Sequence, residues 1–418
     1  MQTRRQILQL GSLGLLGSLL SGTSARGEAR APAIAKSTIV LFMNGGPSHV
    51  DTFDPKPGSK GAGPFKAIAT RAAGVQISEH LPGLAEQMDK IALVRSVTSK
   101  EGNHARAQEL AHTGHVPNPT VSAPSIGAWM AKLAAGRTGA RALDLPPFVS
   151  LGGPSHGAGF LGRTWDPLVV QEPGAAPDNL APARDVGKSR DGARRALRGA
   201  LDEGFATRTR DPRARDRIDL YARATALMGS DASKAFDVES EPAAVKKAYG
   251  DSDFGRGCLA ARRLVEAGVP FIEVTLDGWD THADGFEREK RLMGALDPAM
   301  SALVKDLAER GLLDETLVVW MGEFGRTPAI NANDGRDHHP AAFSIAMAGA
   351  GVRGGAVHGE TDADGAKVVS DPVLFDDVLA TVATRMGFDP ETRETTPLGR
   401  PIGITERGAP IGDIVKKD

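Results

Sequence analysis

The sequence predicts an α/β protein built on one large, mainly parallel sheet covered by helices on both faces. Three observations carry that expectation. Short β-branched apolar runs alternate with segments of helical periodicity. The strand runs are nearly continuous in apolar residues, as strands buried on both faces must be. Polar, histidine-bearing loops recur just past the strand ends, where ligands bind in open α/β sheets.

Taken in chain order, the first element is not part of the fold. Arg4-Arg5 stand just before an apolar stretch from Ile7 to Leu20, and small residues from Ser21 to Ala31 offer a cleavage site. Residues 1–31 resemble a twin-arginine export signal, which implies the Tat export machinery as a partner and a periplasmic or secreted product. The ordinary alternative, a basic Leu-rich terminal helix, is disfavoured because the Ala/Gly/Arg stretch that follows has no docking pattern. The apolar run is too short and too Gly-rich for a stable membrane span, and no other segment approaches one.

Residues 36–418 then read as a single domain. Strands are expected at Thr38–Met43, Ile91–Val94, Phe148–Leu151, Phe271–Leu276, Thr316–Met321 and Phe343–Met347. Helices are expected from Leu259 to Ala267, stopped by Gly268 and Pro270, from Met293 to Glu309, and from Leu374 to Met386 before Gly387. The Arg/Ala/Asp-rich stretch of about 181–247 lacks strand signals and reads as a helical insertion, entered through a Gly/Pro/Asp loop from Gln171 to Arg184. Its arginines are best read as a solvated face.

Composition excludes several classes. Cys258 is the single cysteine, so neither an intrachain disulfide nor a cysteine-rich zinc site can form. A formal charge of −2 with 24% charged residues gives no sign of a nucleic-acid partner.

The chemistry collects in the loops after the strands: Asn44 to Asp51, Arg95 to His104, Asp277 to His282, and Gly322 to Pro340. Asp280-x-His282 places two ligands on one side of an extended segment, and a carboxylate with a neutral imidazole suits zinc, manganese or iron better than calcium. A surface Asp–His pair is the usual meaning of such a dipeptide; four such loops tip the balance to a metal site. Asn44-Gly45-Gly46 lacks the Lys-Ser/Thr of a phosphate-binding loop and reads as a tight turn beside the site. Ser48 lacks the flanking glycines of a nucleophile elbow.

Asn44-Gly-Gly-Pro-Ser-His-Val-Asp-Thr-Phe-Asp-Pro-Lys56, Gly278-Trp-Asp-Thr-His282, Gly322-Glu-Phe-Gly-Arg-Thr-Pro328 and Gly335-Arg-Asp-His-His-Pro340 resemble the hallmarks of the DUF1501 family, from about Ser37 onward. That family is grouped with the alkaline phosphatase-like superfamily of sulfatases, phosphatases and phosphomutases. The resemblance implies an alkaline phosphatase-like three-layer fold and metal-assisted hydrolysis of phosphate or sulfate esters, small or polymeric, with one or two divalent ions, zinc or manganese. It implies Asp280 (or Asp277), His282 and His338 as ligands of one metal. For a second metal it implies Glu323, with Asp51 substituting for the acid that the superfamily places where Asn44 stands; Phe324 stands where it has a further ligand. The sulfatase nucleophile position falls on His104, a ligand, base or covalent acceptor, with Ser96, Thr98 and Ser99 as alternatives. Arg326 and Arg95 are candidate anion clamps, and His49 and His339 candidate proton carriers. Two other accounts compete: a non-catalytic binding or assembly protein on a degenerate scaffold, and carbohydrate recognition through Trp165, Trp279 and Trp320.

Overall fold

A computed structural model describes residues 35–415 except 138–143, 176, 178–179 and 181–185. The expected export signal and its cleavage site lie outside the described residues, as do residues 181–185 of the expected insertion. The central sheet has eight strands: β1 (Ser37–Asn44), β2 (Ile91–Val97), β3 (Phe148–Leu151), β4 (Leu168–Val170), β5 (Phe271–Asp277), β6 (Thr316–Met321), β9 (Phe343–Ala348) and β10 (Val357–His358). The two-residue strands β7 (Gly325–Arg326) and β8 (His338–His339) form a separate antiparallel ribbon.

Across the sheet the order is β10-β2-β9-β6-β1-β5-β3-β4. All its pairings are parallel except those of β9, which runs antiparallel to both β2 and β6. The centre, β6-β1-β5, is parallel and in tight register: Thr38 pairs with Phe271 and Leu317, and Phe42 with Thr275 and Met321. The carboxyl ends of these three strands therefore open at one rim.

Side chains of β1 alternate between two cores, as a strand of period two demands. Ile39, Leu41 and Met43 pack on one face with α7 (Asp253–Glu266) and α8 (Gly285–Glu309), through Leu259, Leu264, Met293, Leu296 and Leu303. Val40 and Phe42 pack on the other with α3 (Ile126–Ala135) and α9 (Phe375–Arg385), through Trp129, Met130, Val378 and Val382. Two shorter helices, α1 (Pro82–Gln87) and α2 (His104–Thr113), precede α3. Between β4 and α7 lie α4 (Lys188–Thr209), α5 (Pro212–Gly229) and α6 (Ala243–Tyr249).

Candidate metal centre

Four chain segments meet at the rim. Asn103 caps α2, its side chain accepting from the Arg106 amide, and so sets His104 at the helix start. β5 ends at Asp277 and its loop delivers Asp280 and His282; β6 ends at Met321 and delivers Glu323; β8 delivers His338. Glycine is required where these loops touch. A Cβ on Gly45, whose φ is +117°, would lie 2.3 Å from the Asp280 amide nitrogen, and one on Gly46, with φ +78°, 2.6 Å from the Phe324 ring. The Asn44-Gly45-Gly46 segment is thus a tight turn against the site.

The protonation of the cluster follows from its partners. His338 Nδ1 lies 2.7 Å from the Gly102 carbonyl oxygen, which only accepts, so Nδ1 carries the hydrogen. His104 Nδ1 donates to Glu323 at 2.7 Å, and His282 Nδ1 to Asp337 at 2.9 Å. When such a ring is neutral its Nε2 is an acceptor, faced by no donor in His104 and His338 and accepting from Arg326 in His282. These lone pairs converge: Nε2 of His104, His282 and His338 lie 3.3, 3.1 and 3.4 Å from Asp280 Oδ1, and those of His282 and His338 are 2.9 Å apart. His104 Nε2 is buried with no hydrogen-bond partner. Acceptors facing acceptors repel, and a divalent cation among them removes the conflict. The candidate ligand atoms of His104, Asp280 and His338 all lie within 4.8 Å of one another, and the donor chemistry fits a nitrogen-rich transition-metal site.

Charges around the cluster are set by specific neighbours. Partial burial opposes ionisation of Asp280, but the Arg326 guanidinium, 2.6 Å away, holds its carboxyl down at about 2. The hydrogen bond to Glu323 raises the pKa of His104, while burial lowers that of His338. Glu323 is fully buried; both its oxygens accept from the Gly45 amide, at 3.0 and 3.2 Å, and one also holds His104. It orients an imidazole, the usual service of a carboxylate behind a metal-binding histidine. Phe324 is a wall, its ring 4.8 Å from that of His104 and 4.6 Å from that of His338.

The remaining expected site residues have other partners. Asp51 is buried in a two-point ion pair with Arg336, at 2.6 and 3.0 Å. Asp277 accepts from Asn44 Nδ2 at 2.6 Å, which selects Asp280 over Asp277 at the cluster. His49 Nε2 donates to the Gly365 carbonyl and His339 Nε2 to that of Ala366, so neither ring turns to Asp280. Thr98 and Ser99 line a cleft of about 510 Å³ with Leu110 and Phe375, and Ser96 Oγ donates to the Asp371 carbonyl. Arg326 has no N–H to spare for an anion. Its five hydrogens go to the carbonyls of Gly45, Gly46 and Arg336, to Asp280 and to His282 Nε2. Arg95 pairs with Asp54 and Gln76. Trp279 and Trp320 are buried and present no sugar platform, and the Arg223 guanidinium lies 4.7 Å from the centre of the Trp165 ring. Cys258 is buried in α7, where desolvation pushes its thiol pKa up and makes it inert.

Sequence reasoning missed that His104 opens a helix, although Asn103 before it and Gly114 after it are the capping signals. It also missed Asn331, which donates to Asp337 and to the His282 carbonyl and so stiffens the second support of the cluster.

Residues 35–415 match the model of the family described as "Protein of unknown function (DUF1501)". No curated protein matches the sequence. Among solved structures, the chain is similar to the lipoteichoic acid synthase LtaP from Listeria monocytogenes, at 9% identity and a TM-score of 0.36, over 86% of this chain and 73% of that one. It is similar to the PsFucS1 sulfatase from Pseudoalteromonas sp., at 11% identity and a TM-score of 0.36, over 93% and 72%. It is also similar to the alkaline phosphatase of the Antarctic bacterium TAB5, at 14% identity and a TM-score of 0.34, over 76% and 92%.

Proposed function

Because the chain belongs to the DUF1501 family, and its motifs resemble those of ester-cleaving enzymes, we propose that it is an exported metal-dependent hydrolase of phosphate or sulfate esters. The observation that carries this reading is the convergence of three imidazole Nε2 atoms on one ionised carboxylate. In this reading residues 1–31 are an export signal, and 36–418 act as one domain with a helical insertion at about 181–247.

His104, Asp280, His282 and His338 hold a single ion, and the excess of nitrogen over oxygen favours zinc over manganese. When bound, such an ion polarises an ester oxygen and brings the pKa of a coordinated water to around 7. The protein's own part is positional. Glu323 and Asp337 fix two rings by their Nδ1 hydrogens, and the Gly102 carbonyl fixes the third. Arg326 keeps Asp280 ionised, and Phe324 excludes water from one side of His104 and His338. Among the described residues no serine, threonine or cysteine side chain is hydrogen-bonded to the side chains of His104, Asp280, His282 or His338, and in this reading the attacking group is water.

The experiment is elemental analysis of protein purified from its native host, followed by assay against a panel of phosphate and sulfate esters. One equivalent of zinc, with turnover abolished in His282→Ala, is the expected result. Metal-free protein inert towards the whole panel would instead favour the binding or assembly reading, for which Phe324 and Asn44, standing where the superfamily has ligands, already speak.

A further inference from the structure

The helical hairpin α4–α5 carries a surface that the hydrolase reading leaves without a role. Helix α4 is fixed from one side: Ala206 is buried, the Arg198 guanidinium sits 3.8 Å from the centre of the Tyr221 ring of α5, and Glu203 pairs with Arg215 of α5 at 2.7 Å. Its opposite side is bare. Leu197 is 63% exposed, Leu201 64% and Phe205 52%. They follow one another at four-residue steps, so they form a stripe along one helix face. Arg190 and Arg194 extend the same face at one end and Arg208 at the other, all exposed.

Charge indicates what covers this stripe. Lys188 to Gly229 hold eleven Lys/Arg and six Asp/Glu, a net of +5 in a chain whose total is −2. The acids of α4 are already engaged: Asp191 with Arg195, Asp202 with Arg198, Glu203 with Arg215. Arg190, Arg194 and Arg208 make no ion pair among the described residues. A second copy of the chain is a poor cover. Antiparallel packing of the stripe on itself sets Arg190 and Arg194 against the other copy's Arg208, and parallel packing sets each arginine against its equivalent. An apolar stripe ended by unpaired cations matches a surface that is anionic outside and apolar beneath.

We propose that the exposed face of α4, Arg190-Arg194-Leu197-Leu201-Phe205-Arg208, lies on an anionic lipid surface, its apolar stripe in the acyl boundary and its arginines at the headgroups. No described helix is long and apolar enough to cross a membrane, so this is attachment in the plane of the surface.

The test exploits the buried, single Cys258. An Ala200→Cys substitution, beside the stripe, takes a polarity-sensitive fluorophore in the full chain, so the signal reports α4 rather than the N-terminal segment. Vesicles of phosphatidylcholine with phosphatidylglycerol should shift its emission to the blue, and vesicles of phosphatidylcholine alone should not. Arg190→Gln, Arg194→Gln and Arg208→Gln together should weaken partitioning about fivefold per charge, on the order of a hundredfold in all. Leu197→Gln with Phe205→Gln should abolish the shift. All five positions are exposed, and circular dichroism checks that the variants stay folded. The proposal is overturned by an absent shift, by an equal shift with neutral vesicles, or by variants that bind unchanged. A shift that grows with protein concentration and no vesicles also overturns it, because a second copy then covers the stripe.

Discussion

Glu323 and His49 show how far a residue's type is from its role. Both were expected at the reaction centre: Glu323 as a metal ligand and His49 as a proton carrier. The structure gives each a buried supporting position. Glu323 has its oxygens turned to Gly45 and His104, so Glu323→Gln should leave a metal site in place but weaken it, by about 10- to 100-fold. Asp280→Asn should remove stoichiometric binding altogether. Equilibrium dialysis of zinc against the two variants separates these outcomes; equal losses would mean that Glu323 is itself a ligand. His49 is 1% exposed, and desolvation lowers its pKa to about 4, outweighing the opposite pull of Asp54. Its folded pKa lies below the unfolded value of about 6.5, so between these limits the unfolded chain binds more protons. Stability is then complete above pH 6.5 and is lost as pH falls towards 4, by about 3 kcal/mol. Urea unfolding across that range should show the loss in the wild type, and His49→Gln should flatten it. A loss of the same slope in both proteins sinks the assignment.

At the scale of elements, most strands were legible because a buried parallel strand needs an unbroken apolar run. Thr316–Met321 and Phe148–Leu151 form as expected, and Ser37–Asn44 and Phe271–Asp277 extend the expected runs by a residue or two. Direction was not legible: Phe343–Ala348 is a similar run yet antiparallel, and side-chain pattern carries no polarity. Helix α8 begins eight residues before the expected Met293, because its first turns, Gly285 to Leu292, are largely charged and bury few apolar side chains. The candidate site was legible as Asp280, His282 and His338 from motif resemblance. The groups that hold the two rings, the Gly102 carbonyl behind His338 and Asp337 with Asn331 behind His282, were assembled only by the fold. Ties between elements are equally hidden from sequence. Arg262 of α7 is 1% exposed and pairs with Glu241, Glu266 and Asp306, joining the segment after α5 to α7 and α8. Removing one partner of a buried network leaves the others uncompensated. Arg263 and Arg310 still reach the same acids, so Arg262→Ala should cost about 3 kcal/mol, near the lower end for such pairs. A denaturant midpoint unchanged from wild type would show that those neighbours suffice.

For the whole molecule, the cluster is a junction, since its donors come from the start of α2, the loop after β5 and the ribbon strand β8. Each segment is joined to a different part of the sheet, and unfolding must separate them. Lone pairs that repel across 2.9–3.4 Å weaken that junction when no cation joins them. A cation that binds only the folded arrangement stabilises it by mass action, by about 2.7 kcal/mol at a hundred times its dissociation constant. With the unfolding entropy of a core of this size, that corresponds to about 3 °C in Tm. Chelated protein should therefore melt lower, and zinc should restore the wild-type transition. Asp277→Asn should behave as wild type, because Asp277 is held by Asn44 away from the cluster. His338→Ala should melt at one temperature with or without zinc. A zinc response that survives in His338→Ala would place the ion elsewhere, and no response in the wild type would leave the convergent imidazoles without the ligand that their geometry calls for.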